Sequence, residues 1–328
     1  MENISSIIRA MLKGMFDSLK GAVSIFYLDR HIRERNEKTS PTKDPKSSRR
    51  KESLREPPPK QEEATVWSRT LQCCILNGGV VWASIMFFEC GLLPVLKRFL
   101  IILFGDSPAT GKLIWSWMRP LLTWTFSTIW VLPLFLLSKI INSLWFQDIA
   151  NSAYRYSRGR PQTLSSVSKV VADTLFSILV QALFLMQGML VSLMPLVVLG
   201  EVLCLIHMCM LYSLYAFEYK WFNMGWELHK RLTFIETNWP YFLGFGLPLA
   251  IFTSLPESYI ASGCIFSILF PLFIISGNDA EPVVGACDYP LQLFSPVIII
   301  SNALFNRTIG HKAPSTPVAT QESARVRR

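Results

Sequence analysis

The sequence predicts an all-α, polytopic helical membrane protein: about six transmembrane helices, one re-entrant or interfacial segment, and an N-terminal amphipathic helix. Three observations carry this. Hydrophobic residues make up 51% of the 328 and charged residues only 17%, against about a quarter charged in soluble domains, and the mean hydropathy is +0.33. The apolar residues gather in blocks between Ile75 and Phe305, and about 20 apolar residues suffice for a helix to cross ~30 Å of hydrocarbon. Basic residues gather outside the blocks, most of the net charge of +9 lying in the first 70 and last 23 residues. Such segments set orientation and attract anionic lipid. Nucleic acid is not expected as a partner, because no soluble domain is left to carry a groove.

The chain divides into residues 1–29, 30–66, 67–305 and 306–328. In the first, Ile4, Ile8, Met11, Leu12, Met15, Leu19, Val23 and Phe26 recur at spacings of three and four, with Arg9, Lys13 and Lys20 on or beside the other face. This is an amphipathic helix. It suits the headgroup region of a bilayer with anionic lipids, and equally a helix packed on other protein. Residues 30–66 and 306–328 are basic and poor in apolar residues, so they are expected to be disordered and cytosolic. The first 29 residues lack the uninterrupted apolar core of a cleavable signal peptide.

Within 67–305, block one runs from about Ile75 to Leu96 and block two from about Leu113 to Ile141. Gly and Pro residues break the chain between them. Blocks three and four share residues 170–217 and divide near Ser192, ahead of Pro195 and Gly200. Blocks five and six occupy about 241–276 and divide at Ser254 to Ser258. The seventh, Leu291 to Phe305, offers only about 22 Å of helix and is the candidate re-entrant segment. Basic residues beside the blocks place both termini in the cytosol, although Lys97 and Arg98 fall on the opposite side.

Polar residues inside such blocks are functional candidates by default. Glu89, Gln181, Gln187, Glu201 and His207 qualify; the glutamines are expected to hydrogen-bond across helices. The seven cysteines show no disulfide or zinc spacing, and no catalytic triad, phosphate loop or zinc-protease motif occurs. Neither a cofactor, a metal nor an enzyme is expected. Gly244, Gly246 and Pro248 in one block, and Pro271 in another, mark broken helices: either ordinary kinks or an ion site of the kind interrupted helices present. Trp145, Phe146, Gln147 and Asp148 form a polar and aromatic cluster where block two leaves the membrane. There Asp148 is expected to pair with Arg155 or Lys220, and the four residues are a candidate docking surface.

The runs "VLPLFLLSKIINSLWFQDIA", "SVSKVVADTLFSILVQALFLMQGMLVSLMP", "LYSLYAFEYKWFNMGWELHKRL", "NWPYFLGFGLPLA" and "SYIASGCIFSILFPLFIIS" together resemble the etoposide-induced protein family. The resemblance covers about Trp67 to Phe305. It implies a multi-pass endoplasmic-reticulum protein required for autophagy and linked to stress-induced growth suppression and apoptosis. Such a protein would act as a scaffold for autophagy or apoptosis proteins. The family is more remotely similar to CysZ-type sulfate permeases, so an anion channel or permease is the alternative. The glycine-leucine-asparagine-proline signature of those permeases is absent, since Pro248 directly follows Leu247. Arg325, Arg327 and Arg328 resemble an arginine-based retrieval signal for the reticulum.

Overall fold

The computed structural model describes residues 2–27, 30, 66–103, 108–159 and 167–309. The basic segment 31–65 and the tail that holds Arg325, Arg327 and Arg328 lie outside the described residues. Among the described residues every regular element is helical: α1 (Glu2–Leu19), α2 (Val66–Leu103), α3 (Thr110–Ser157), α4 (Val167–Ser192), α5 (Val197–Asn223), α6 (Leu228–Thr237), α7 (Trp239–Ser254), α8 (Tyr259–Asp279) and α9 (Ser295–Ile309).

Five of these, α2, α3, α4, α5 and α8, are long and apolar enough to cross a membrane. The expected divisions coincide with helix ends: α4 stops at Ser192, and α7 and α8 flank residues 255–258. Two apolar helices are short, α7 with 16 residues and α9 with 15. The helices α2 and α3 err the other way, with 38 and 48 residues. At 1.5 Å per residue α3 is about 72 Å long, more than twice the hydrocarbon thickness. Their far halves pack chiefly on each other, Phe88 stacking on Phe126 with centroids 3.9 Å apart. Lys97 and Arg98 stand on this overshooting arm, about 45 Å along the helix from Trp67. Lys112 and Arg119 stand on the facing part of α3, so four cations share an arm whose length exceeds the hydrocarbon thickness.

The core forms where α5, α7 and α8 meet. Phe217, Phe242 and Phe245 are fully buried, and their rings meet edge to face at centroid distances of 4.8 and 5.1 Å. This geometry favours aromatic pairs beyond their area. What lets the helices approach so closely is glycine. A β-carbon at Gly246 would lie 1.9 Å from the Cys209 carbonyl oxygen, and one at Gly244 would lie 2.0 Å from that of Met11. The chain is helical without interruption from Trp239 through Gly244, Gly246 and Pro248 to Ser254, and likewise through Pro271 in α8. The break expected at these residues is therefore corrected: the glycines are crossing points where one backbone lies against another. Proline is tolerated in such helices because neighbouring groups can re-satisfy freed backbone, and Ser213 Oγ of α5 adds a tie across the crossing by donating to the Phe242 carbonyl at 2.6 Å.

The helix α1 packs on protein with one face and leaves its apolar stripe exposed on another. The helix docks on α7 and α8 through Ala10, Gly14, Asp17, Ser18, Gly21 and Ile25. Tyr241 Oη donates to buried Asp17 Oδ2 at 2.8 Å, and the Gly21 amide donates to Ser276 Oγ at 2.7 Å. Its apolar stripe stays outside: Ile4, Ile8, Leu12, Phe16, Leu19, Val23 and Phe26 are each 47–64% exposed.

Candidate functional site: a buried ionic cleft between helices

Polar residues are costly among apolar helices unless they find partners. Five of them converge where α4, α5 and α6 meet. Asp173, Ser177 and Gln181 stand four residues apart on α4 and so share one face. Across from them Glu218 of α5 accepts hydrogen bonds from Ser177 Oγ and Gln181 Nε2. Arg231 of α6 completes the cluster with its side chain 1% exposed. Its Nη2 donates to Asp173 Oδ2 at 2.8 Å, its Nε to the Trp226 carbonyl at 2.9 Å, and its Nη1 lies 3.5 Å from Glu218 Oε1. Asp173 Oδ1 also accepts the Leu228 amide at 3.1 Å, at the N-terminus of α6, where backbone amides lack partners within the helix. A cleft of about 210 Å³ opens onto the group, lined also by Gln147 and Tyr219.

The chemistry here is electrostatic. One guanidinium faces two carboxylates, and every one of the three is held by at least two hydrogen bonds or ion contacts. Among the described residues no group of three His, Cys, Asp or Glu residues is placed to hold a metal.

Smaller polar ties repeat the pattern. Asn77 of α2 and Asn142 of α3 exchange amide hydrogen bonds at 3.1 Å, both fully buried. Gln187 Nε2 of α4 lies 3.0 Å from His207 Nε2 of α5 and donates to the Leu293 carbonyl at 3.1 Å. Lys220 Nζ donates to the Ala280 carbonyl at 2.6 Å, at the C-terminus of α8, where a cation suits the helix dipole. Glu236 of α6 accepts the Phe294 amide at 2.7 Å, just ahead of α9, and burial pushes its carboxyl above the ordinary value.

The residues named from the sequence are distributed as follows. Phe146 is buried and meets Phe270 edge to face at 5.1 Å; Trp145 is half-buried against the core; Gln147 lines the ionic cleft and donates to Asn151 at 3.2 Å; Asp148 is exposed. The four do not form one surface, because successive residues of a helix point about 100° apart. Asp148 pairs with Arg69 of α2 at 3.3 Å, which replaces the expected Arg155 or Lys220. That pair is open to solvent and is worth little, so Asp148→Asn is expected to change thermal stability by less than about 0.5 kcal/mol in purified protein. Gln181 and Gln187 do bond across helices, whereas Glu201 is exposed and has no part in the His207 contact. Sequence reasoning missed Asp173, Glu218 and Arg231. The four-residue spacing of Asp173, Ser177 and Gln181 on an apolar helix is the signal that could have found their shared face.

A bundle of apolar helices tied by buried polar contacts, with basic residues at the end where α2 and α7 begin and α8 ends and four more on the far arm of α2 and α3, defines the class: a polytopic all-α membrane protein. The chain belongs to the family described as Sulfate transporter CysZ/Etoposide-induced protein 2.4, which matches residues 62–258. It is 31% identical to Ectopic P granules protein 4 of Caenorhabditis elegans over 86% of this chain and 85% of that one. It is 32% identical to the Protein EI24 homolog of Arabidopsis thaliana, over 66% of this chain and 77% of that one. The corresponding figures for the Protein EI24 homolog of Dictyostelium discoideum are 30%, 74% and 76%. No solved structure matches the chain.

Proposed function

We propose that this protein is a multi-pass membrane protein of the endoplasmic reticulum required for autophagy, acting as a scaffold for autophagy or apoptosis proteins, and so linked to stress-induced growth suppression. Family membership supports the autophagy role through the resemblance, and one relative carries a name that refers to ectopic P granules. The observation that carries the choice of scaffold over permease is the charge of the cleft. An oxyanion entering it would meet Asp173 and Glu218, and the guanidinium beside them is already bound to both and to a carbonyl. Such a site repels a sulfate-like ion; its sign suits a lock between helices.

In this reading both termini are cytosolic, Arg325, Arg327 and Arg328 form the retrieval signal, and partners dock at the basic end of the bundle, where Asp148 and Lys230 are exposed. The alternative, an anion permease, keeps the support of the sulfate transporter in the family's description. The test of the scaffold is autophagic flux in cells lacking the protein. Undegraded cargo should accumulate, and the full chain expressed from a plasmid should clear it. Normal flux in the deficient cells would remove the proposal.

A further inference from the structure

The exposed stripe of α1 runs through Ile4, Ile8, Leu12, Phe16, Leu19, Val23 and Phe26 along the whole helix and its continuation. The opposite face docks on α7 and α8 through Gly14 and Gly21, whose β-carbons would meet the Tyr241 and Leu272 carbonyls at 2.1 and 2.0 Å. Two observations say what covers the stripe. First, the stripe continues into a surface that must face lipid: the Phe26 ring lies 5.4 Å from that of Trp67, and Trp67, Leu71 and Ile75 are exposed at four-residue spacing on the first membrane-length helix. Second, Arg9 and Lys13 each follow a stripe residue by one position, about 100° around the helix, so they stand on the shoulder between the stripe and the docked seam. Both are exposed, as is Lys20. A helix half-sunk at the boundary of headgroups and acyl chains places its cations at that shoulder, level with anionic headgroups.

We propose that α1 is a fixed membrane wedge: its stripe inserts into one leaflet of an anionic bilayer while its glycine seam holds it against the bundle, so that the full chain prefers curved membrane. The proposal rests on the membrane reading and extends it. A free amphipathic peptide would partition on and off the surface. Here the helix is folded and positioned in advance, and its insertion adds volume to one leaflet alone. Binding of amphipathic helices depends on curvature for this reason.

The experiment uses the full chain, fluorescently labelled, in giant liposomes of phosphatidylcholine and phosphatidylserine from which narrow tubes are pulled. The native chain should be enriched in the tube over the flat membrane. Leu12→Ser with Phe16→Ser alters two exposed side chains, so the melting profile should hold while the enrichment falls by at least about twofold. A photo-crosslinker placed at Phe16 should give adducts with acyl chains. Unchanged enrichment in the double variant, or adducts with a second copy of the chain and none with lipid, would overturn the wedge. Failure of the whole chain to resist alkaline extraction from the liposomes would instead overturn the membrane reading beneath it.

Discussion

Gly246→Val is expected to prevent accumulation of folded protein, the largest effect of any single change considered. Its β-carbon would stand 1.9 Å from the Cys209 carbonyl oxygen, where α5 crosses α7. Overpacking a core costs about 1–3 kcal/mol when side chains can move aside; here the obstacle is backbone, at the centre of the Phe217, Phe242 and Phe245 cluster. The helices must separate by ångströms, loosening every contact along the crossing, and the loss should exceed about 4 kcal/mol. Gly244→Val makes an informative contrast. Its obstacle is the Met11 carbonyl of α1, so the bundle should persist while α1 becomes accessible to protease. Yield after detergent extraction and limited proteolysis read the two outcomes. Wild-type yield for Gly246→Val would mean that the crossing is looser than the structure places it.

Arg231→Met is expected to be the next most damaging change. Removing the guanidinium leaves Asp173 and Glu218 facing each other without a cation, and breaking a buried pair from one side costs about 3–5 kcal/mol. Arg231→Lys should recover only part of it. A single ammonium cannot reach Asp173, Glu218 and the Trp226 carbonyl together, as the planar fork does. Pairing Arg231→Met with Asp173→Asn and Glu218→Gln removes the uncompensated charges and should restore much of the lost stability. Thermal melts of the purified variants measure this, and a triple variant no more stable than Arg231→Met would contradict the assignment of these carboxylates as its partners.

The arrangement of helices was legible because its punctuation is chemical. Pro195 stands between α4 and α5, and Pro256 stands between α7 and α8, where the helices do end. The meaning of Gly244 and Gly246 was not legible, since a glycine in an apolar run marks either a break or a close crossing, and only the opposing backbone decides between them. Arg231 is, by sequence, one more basic residue between two apolar blocks. Nothing in "ELHKRLTF" distinguishes the arginine that is buried from the exposed His229 and Lys230 beside it. Asp148 found its partner in Arg69, on a helix separated from its own by a long arm of chain, whereas the expected partners were nearer in sequence or in block order. Local pattern fixes periodicity and helix ends; pairing between distant helices depends on packing that no local pattern encodes.

The central claim is that the buried ionic cluster locks helices together and does not carry anions. Uptake of labelled sulfate into liposomes holding the purified, folded chain tests it most directly. The account predicts uptake no greater than in empty liposomes. Uptake above that level, saturating with sulfate and abolished by Arg231→Lys in protein that remains folded, would contradict it and make the cleft a path for ions.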